Sequence, residues 1–330
     1  MKYTLWVAVA LLLLTACGSP SDATPEVVVY VSVDQVHAEP VLNLFAEQTG
    51  IRVKPVYDVE AAKTTGLVQR LIAEKDRPQA DVFWNGEFAQ TLSLKDRGVL
   101  AYYQPPAVAK LPPEAVDVDG QWTGVGGRAR VLLVHREHVS EKLRPRRLED
   151  LLTTTIPGER IGVARPFFGT TATHAAALYA AWGPDRAKSF FEKLKARGVR
   201  FVDGNSVVRD LVVGGELWMG LTDSDDALGA LERKAPVEMI LLDQEDGGLG
   251  TLRIPATVAL VKGGPNPEQG RKLVDFLVSE RAEQALLKSG FCSYPLRGDA
   301  KDLRPMRVRA GELWKFWQRS QRELREVLNR

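Results

Sequence analysis

Short β-branched segments alternate with helical segments from Glu26 onward, and this alternation restricts the possible folds more than any other feature. Residues 27–33 have the composition of a buried strand. The apolar positions of residues 39–48 share one face of a helix, which stops before a glycine. With strands at residues 51–56 and 81–84 and a helix between them, the β-α-β-α-β order predicts a parallel sheet covered by helices.

The alternation is interrupted once and then resumes, which predicts a second α/β unit. Residues 102–127 are rich in proline and glycine and show little periodicity. A long strand is predicted at residues 129–135, and strands and helices alternate again over residues 160–221. A strand at residues 254–261 precedes further helices. The 330 residues exceed one typical core, which agrees with two units of the α/β class.

Charge and composition exclude several classes of function. The 44 lysines and arginines nearly balance the 42 aspartates and glutamates, so no strong positive field favours nucleic acid as a partner. Four histidines and two cysteines are too few for a cysteine-based zinc cluster or a disulfide framework. No nucleophile elbow, Walker loop or His-Glu-x-x-His motif is present. We therefore expect no enzyme and no catalytic cofactor; an acid/base pair of Asp225 and Glu87 is the enzymatic alternative.

The amino terminus predicts export. Lys2 precedes ten apolar residues, 5–14, which is too short for a bilayer span of about twenty residues and typical of a removable signal peptide over residues 1–16. The segment ending in Cys17 resembles the lipobox of bacterial lipoproteins. This resemblance implies lipidation of Cys17 and a tether over residues 17–25, which places the protein on the periplasmic or extracellular face of the cell envelope. An ordinary signal peptide with a chance cysteine is the alternative.

Polar residues that follow predicted strands form the candidate binding site, because ligands of open α/β sheets bind beyond the carboxyl ends of the strands. In the first unit, Asp34 follows the first strand, and Asn85 and Glu87 follow the third. Arg128 and Arg130 flank the crossing between the units. These residues are therefore expected near the same cleft.

A glycine and three threonines open a long predicted helix within residues 165–173. Free backbone N–H groups and the helix dipole favour an anion at such a terminus, and the hydroxyls of Thr170 and Thr171 add donors. Ordinary capping of the helix by Thr170 is the alternative.

Three carboxylates occur within residues 223–226, at the end of another predicted strand. Oxygen ligands suit hard cations, so Asp223, Asp225 and Asp226 are candidates for binding a metal ion or an amine. The alternative is that Asp223 or Ser224 caps the next helix while the other two aspartates favour its first turn.

Six sequence segments, in order along most of the chain, resemble the periplasmic solute-binding proteins of ABC importers, and in detail their ferric-iron-binding branch. The segments are residues 46–53, 79–84, 126–131, 204–206, 215–221 and 294–296. The resemblance implies the two-lobe type II periplasmic binding protein fold, with hinge strands between the lobes. The N-lobe would comprise residues 26–128 plus 254–330, and the C-lobe residues 129–253. It also implies a monomer that closes on a small solute and delivers it to an ABC permease and its ATPase.

The same resemblance implies a ligand set. In the ferric branch, the segment matching residues 169–172 holds phosphate or carbonate beside the metal, with help from the position of Asn205. Two adjacent tyrosines of that branch are replaced here by Asp225 and Asp226, which become the expected ferric ligands. Asp34, Asn85 and Glu87 are expected at the cationic part of the solute, and Arg128, Thr170, Thr171 and Asn205 at the anionic part. The alternative solute is a sugar phosphate, an aminoalkylphosphonate or a polyamine.

Overall fold

The computed structural model describes residues 24–58, 65–297 and 303–329. The predicted signal peptide, Cys17 and most of the tether lie outside the described residues. Within the described ranges, no helix has both the length and the apolar character that a membrane span requires.

In the described ranges, nine strands form one continuous sheet, in the order β2-β1-β3-β9-β4-β7-β5-β6, with β8 paired to β4. The strands are β1 Glu26–Val31, β2 Arg52–Tyr57, β3 Val82–Asn85, β4 Thr123–His135, β5 Ile161–Ala164, β6 Arg200–Val202, β7 Met219–Asp223, β8 Val237–Ile240 and β9 Arg253–Leu260. The helices are α1 Gln35–Thr49, α2 Thr65–Ala73, α3 Ala89–Asp96, α4 Gly169–Trp182, α5 Pro184–Ala196, α6 Asn205–Val213, α7 Ser224–Glu232, α8 Pro267–Leu277, α9 Glu280–Lys288 and α10 Ala310–Asn329.

The two predicted parallel units are present. Strand β1 pairs in parallel with β2 and β3, and these three strands with α1 to α3 are called the first unit below. Strand β5 pairs in parallel with β6 and β7, and these strands with β8 and α4 to α7 are called the second unit. The predicted α/β class with two lobes is thus confirmed.

Strands β4 and β9 join the units. They pair antiparallel with each other, β9 also pairs with β3 of the first unit, and the later half of β4 pairs with β7 and β8 of the second unit. The register of β4 against β9 shifts between Val125 and Arg128. Such an irregularity bends a strand, which suits a connection about which two lobes move.

The first half of β4 lies in the segment predicted to be irregular. Glycines at 124, 126 and 127 hide the strand pattern there. Close packing requires Gly124 and Gly127, whereas Gly126 has a positive φ of 64°. A Cβ atom at Gly127 would lie 2.0 Å from the carbonyl oxygen of Tyr294. The close approach of the Tyr294 backbone therefore explains a glycine in the middle of a buried strand.

Both faces of the sheet are covered by apolar side chains. In the first unit, Val27, Val29 and Val31 of β1 pack in one cluster with Phe45 of α1. Tyr30 points to the opposite face, in a cluster that continues into α4, α5 and α10. Complete burial of each such side chain contributes about 1.5–3 kcal/mol, so these clusters hold the helices against the sheet.

The C-terminal helix α10 contacts both units. Its Glu323 accepts a hydrogen bond from Tyr179 of α4 at 3.2 Å, and its Trp314 donates one to Asp96 at the end of α3 at 2.5 Å. The assignment of residues 254–330 to the N-lobe stays a prediction, since this helix packs mainly on helices of the second unit.

Candidate functional site

A cleft of about 750 Å³ lies where the carboxyl ends of β1, β3, β5 and β7 converge. Ser32 and Asp34 line it from the first unit, and Arg165 and Asp223 line it from the second. The cleft is therefore at the position that strand ends and helix starts in the sequence indicate.

Eight of the nine residues predicted to bind solute or metal line this cleft. They are Asp34, Glu87, Arg128, Thr170, Thr171, Asn205, Asp225 and Asp226.

Asn85 is the exception, because it does not reach the cleft wall. It is completely buried, and its amide donates to Thr91 Oγ1 at 3.1 Å and to Glu87 Oε1 at 3.4 Å. Strand β3 ends at Asn85, so the chain leaves the strand before it brings Glu87 to the cleft. The structure thus places Asn85 in a supporting position for Glu87.

Asp223 is a central residue of the site. The sequence offered it as one of three acids or as a helix cap, and it is not among the expected ligands. It is 2% exposed and accepts hydrogen bonds from Arg130 at 2.7 Å, Thr170 at 2.5 Å and Asn205 at 3.1 Å. Burial opposes its ionisation, but the charges of Arg130 and Arg128 outweigh burial and hold the pKa of Asp223 below its usual value. The sequence signal that points to Asp223 as a site residue is its position as the first of three acids at a strand end.

The carboxylate cluster consists of Asp223, Asp225 and Asp226, whose nearest oxygens lie within 4.8 Å of one another. Each aspartate is paired with an arginine: Asp223 with Arg130 at 2.7 Å, Asp225 with Arg128 at 2.9 Å and Asp226 with Arg209 at 2.9 Å. One oxygen of Asp225 is buried and has no hydrogen-bond partner within the part of the chain that the structure describes. Burial, followed by the charges of Asp225 and Asp223, raises the pKa of Asp226 above its usual range.

Arg128 links the two units across the cleft. Its NH1 group donates to Asp225 at 2.9 Å and lies 3.5 Å from Asp223, while its NH2 group donates to the carbonyl of Gly86 at 2.5 Å. The guanidinium also lies over the ring of Phe291, 4.8 Å from its centroid. Arg128 was predicted as an anion-binding residue, and in the structure its donors are directed mainly at carboxylates and a carbonyl.

The N-terminus of α4 opens into the cleft without a side-chain cap. Its capping position is Phe168, and among the described residues no side-chain cap bonds to its first turn. Thr170 lies inside the helix and donates to Asp223, so the alternative in which Thr170 caps α4 is not what the structure shows. Unpartnered N–H groups and the positive end of the helix dipole therefore face the cleft.

Asn205 connects this helix start to the carboxylate cluster. Its amide oxygen accepts from Arg130 at 2.9 Å and from Thr171 at 3.1 Å, and its amide nitrogen donates to Thr170 at 2.8 Å. Asn205 is itself the first residue of α6, whose terminus also lacks a side-chain cap. Two helix N-termini thus meet at one side of the cleft, which favours a negatively charged group there.

Glu87 joins the first unit to α4. Its carboxylate accepts from the backbone N–H groups of Ala89 at 2.5 Å and Gln90 at 2.9 Å, and from the hydroxyl of Thr173 at 2.8 Å. Complete burial raises the pKa of Glu87 despite these hydrogen bonds. Because its oxygens are engaged by fixed donors, the side chain is suited to holding the two units together.

The fold and the cleft define a class of protein, a two-lobe binding protein that encloses a small ligand between α/β units. The chain belongs to the family of bacterial extracellular solute-binding proteins, whose model matches residues 27–292. Members of this class carry solutes without converting them, so the chain is a binding protein and not an enzyme, and an exported location follows.

Three similar proteins illustrate the range of solutes in this class. The chain is 24% identical to a putative 2-aminoethylphosphonate-binding periplasmic protein of Salmonella paratyphi A, over 88% of this chain and 85% of the relative. It is 25% identical to the major ferric iron-binding protein of Neisseria meningitidis serogroup B, over 83% and 82% of the two chains. Iron-bound HitA from Pseudomonas aeruginosa superposes with a TM-score of 0.80 at 24% identity, covering 92% of this chain and 99% of HitA.

Proposed function

We propose that this protein is the lipid-anchored binding subunit of an ABC importer and that it captures ferric iron together with an anion. The carboxylate cluster beside the uncapped start of α4 carries the proposal. Asp225 and Asp226 supply hard oxygen ligands of the kind that ferric iron prefers, and they take the place of the paired tyrosines of the ferric branch.

The anion binds at the start of α4 and completes the charge balance. Thr170, Thr171 and Asn205 surround this helix terminus, where N–H groups attract phosphate or carbonate. An anion next to the metal offsets the positive charges of Arg128 and Arg209, which face the cluster. Iron and anion are therefore expected to bind together, each weakly without the other.

Hinge closure on strands β4 and β9 is the proposed mechanism of capture. The N-lobe is residues 26–128 plus 254–330, and the C-lobe is residues 129–253. Asp34 approaches the solute from the first lobe, where Glu87 also lines the cleft and bonds to α4, and the carboxylate cluster approaches from the second lobe. The closed form is selected because only that form contacts the solute from both sides.

A zwitterionic aminoalkylphosphonate is the second candidate solute, and the pairing of three aspartates with three arginines favours it. That pairing leaves the cluster with little net charge, which suits a single ammonium group better than a trivalent ion. The start of α4 would hold the phosphonate. The two candidates share the anion site and differ in the cation.

Native mass spectrometry of the chelator-free protein distinguishes the two solutes. The protein is challenged in separate samples with ferric citrate plus phosphate and with 2-aminoethylphosphonate. Retained iron that disappears when both Asp225 and Asp226 are replaced by Ala supports the ferric proposal. The matched control is Asp210→Ala, an exposed aspartate that pairs with Arg209 outside the cluster. Tight binding of the phosphonate with no iron would replace the ferric proposal by the second one.

The lipid anchor is tested separately. Cells fed a labelled fatty acid should incorporate the label into the full-length protein, and Cys17→Ser should abolish the label and release the protein from the membrane fraction. Cys292→Ser is the control, because that cysteine is buried in the described fold. Label retained in Cys17→Ser would contradict the anchor and leave the solute proposal untouched.

A further inference from the structure

Two histidines outside the cleft lie side by side at the end of β4. His135 is the last residue of the strand, and a turn in which His138 and Val139 donate to the His135 carbonyl brings His138 beside it. The two rings stack with centroids 4.4 Å apart and planes at 29°. His138 also stacks on Trp218, with centroids 5.4 Å apart. The turn therefore fixes the two imidazoles as neighbours.

The Nε2 atoms of both rings face the same small space beside Gly215. An atom in the position of a Cβ on this glycine would lie 3.0 Å from His138 Nε2 and 3.9 Å from His135 Nε2. Gly215 has φ 74°, so its backbone conformation favours glycine and leaves this space free of a side chain. The two Nε2 atoms thus lie on the same side of the histidine pair, next to the Gly215 backbone.

Burial fixes the position of His135. The residue is 5% exposed, so the fold sets the place of its imidazole beside Gly215. Imidazole nitrogens are the commonest side-chain ligands of metal ions.

This histidine pair is separate from the solute cleft. The His135 N–H bonds to the carbonyl of Trp218, just before β7 begins, whereas Asp223 at the far end of β7 lines the cleft. Five strand residues separate the two ends, a distance of about 15 Å. A ligand at the histidine pair therefore does not touch the solute.

We propose that His135 and His138 bind a divalent late first-row transition metal ion through their Nε2 atoms. Imidazole suits copper, nickel and zinc, and the general order of affinities places Cu²⁺ above Zn²⁺. His138 is exposed and adjusts toward the buried ring to reach nitrogen–metal distances of about 2.0–2.1 Å. Water completes the coordination on the exposed side.

The test is titration of the purified, tag-free protein with Cu²⁺, followed by calorimetry and by quenching of tryptophan fluorescence. One Cu²⁺ should bind per chain and quench Trp218, which stacks on His138. His138→Gln should weaken binding by about tenfold or more, since one of two nitrogen ligands is lost. His37→Gln is the matched control and should bind as the parent does.

Two further variants distinguish binding at the histidine pair from binding in the cleft. Gly215→Ala adds a methyl group 3.0 Å from His138 Nε2, which crowds the ligand atoms, and should weaken Cu²⁺ binding while leaving both histidines in place. Asp225→Ala with Asp226→Ala should leave Cu²⁺ binding unchanged. Equal affinity in the parent and in His138→Gln, or loss of binding only in the double aspartate variant, would overturn the proposal. Circular dichroism verifies that each variant is folded.

Discussion

At the scale of single residues, the stability of the cleft depends on buried charges that compensate one another. Arg128 and its two aspartates have side chains no more than 10% exposed, so their attraction is weakly screened by water. Loss of one partner leaves an uncompensated buried charge, which costs far more than the pair contributes.

Arg128→Met tests this buried pairing. The substitution keeps apolar contact with Phe291 but leaves Asp225 without its cation, so we expect the free energy of unfolding to fall by about 3–5 kcal/mol. Urea denaturation of the unliganded protein measures this free energy of unfolding. Arg165→Met is the matched control, because Arg165 pairs with Asp203, whose side chain is 89% exposed. This variant should lose no more than about 1 kcal/mol in its free energy of unfolding. Equal losses in the two variants would contradict the buried-charge account.

His174 should make the protein sensitive to acid. Burial, and next the charge of Arg130, lower the pKa of His174 to about 3. The unfolded chain takes up this proton near pH 6.5 and the folded chain does not, so stability falls as pH drops below that value, by about 2 kcal/mol at pH 5. Carboxyl groups whose pKa is raised in the folded protein change its stability in the opposite direction as the pH falls. The parent is therefore compared with His174→Gln, which keeps those carboxyl groups and removes only the imidazole.

The measurement is unfolding by urea at pH 7 and pH 5 in both proteins. His174→Gln should lose less stability between the two pH values than the parent. An identical loss in both proteins would show that His174 does not titrate on unfolding.

At the scale of elements, the sequence predicts the parallel units well because each strand and helix there follows its own period. The predicted helix at residues 206–213 and the strand at residues 217–221 differ from α6 and β7 by two residues or fewer at each end. Helix α1 begins earlier than predicted, at Gln35, because Pro40 is accommodated inside the helix. Strand β8 was not predicted, since a half-buried four-residue strand has too short a pattern.

Contacts between elements distant in sequence could not be predicted in the same way. The position of Asn85 behind Glu87 depends on how the chain turns after β3 ends, and the pairing of Arg130 with Asp223 joins residues 93 positions apart in the sequence. Local composition identified most of the cleft residues because strand ends and helix starts converge there. It could not assign their partners.

Gly127→Ala tests the close packing of the connecting strand β4. The added methyl group would collide with the Tyr294 carbonyl, so the backbone must shift, and we expect a loss of about 1–3 kcal/mol in the free energy of unfolding. The control is Gly311→Ala in α10, where the methyl group meets nothing within 4 Å and helix propensity should stabilise the protein by up to about 1 kcal/mol. Denaturant midpoints compare the two, and no loss in Gly127→Ala would refute the packing argument.

At the scale of the whole molecule, the relative stability of open and closed forms depends on a few bonds that cross between the units. Thr173→Val removes the hydroxyl that donates to Glu87 and keeps the side-chain shape. Loss of about 1 kcal/mol would raise the ratio of open to closed molecules about fivefold. Small-angle X-ray scattering of the unliganded protein should then give a larger radius of gyration.

Thr153→Val is the control for that experiment. Thr153 is exposed and its hydroxyl bonds only within its own turn, to the carbonyl of Asp150. Its radius of gyration should equal that of the parent. A Thr173→Val variant with the same scattering as the parent would show that the bond to Glu87 does not hold the units together.

The bonds from Thr173 to Glu87 and from Arg128 to the Gly86 carbonyl also determine how fast the protein works. They must break before the cleft opens, and solute enters or leaves only while the cleft is open. The observed association rate should therefore rise with solute concentration and then level off at the opening rate. The opening of the cleft also limits the rate at which bound solute dissociates. A membrane partner that pulls the units apart can thus accelerate delivery without altering any contact to the solute.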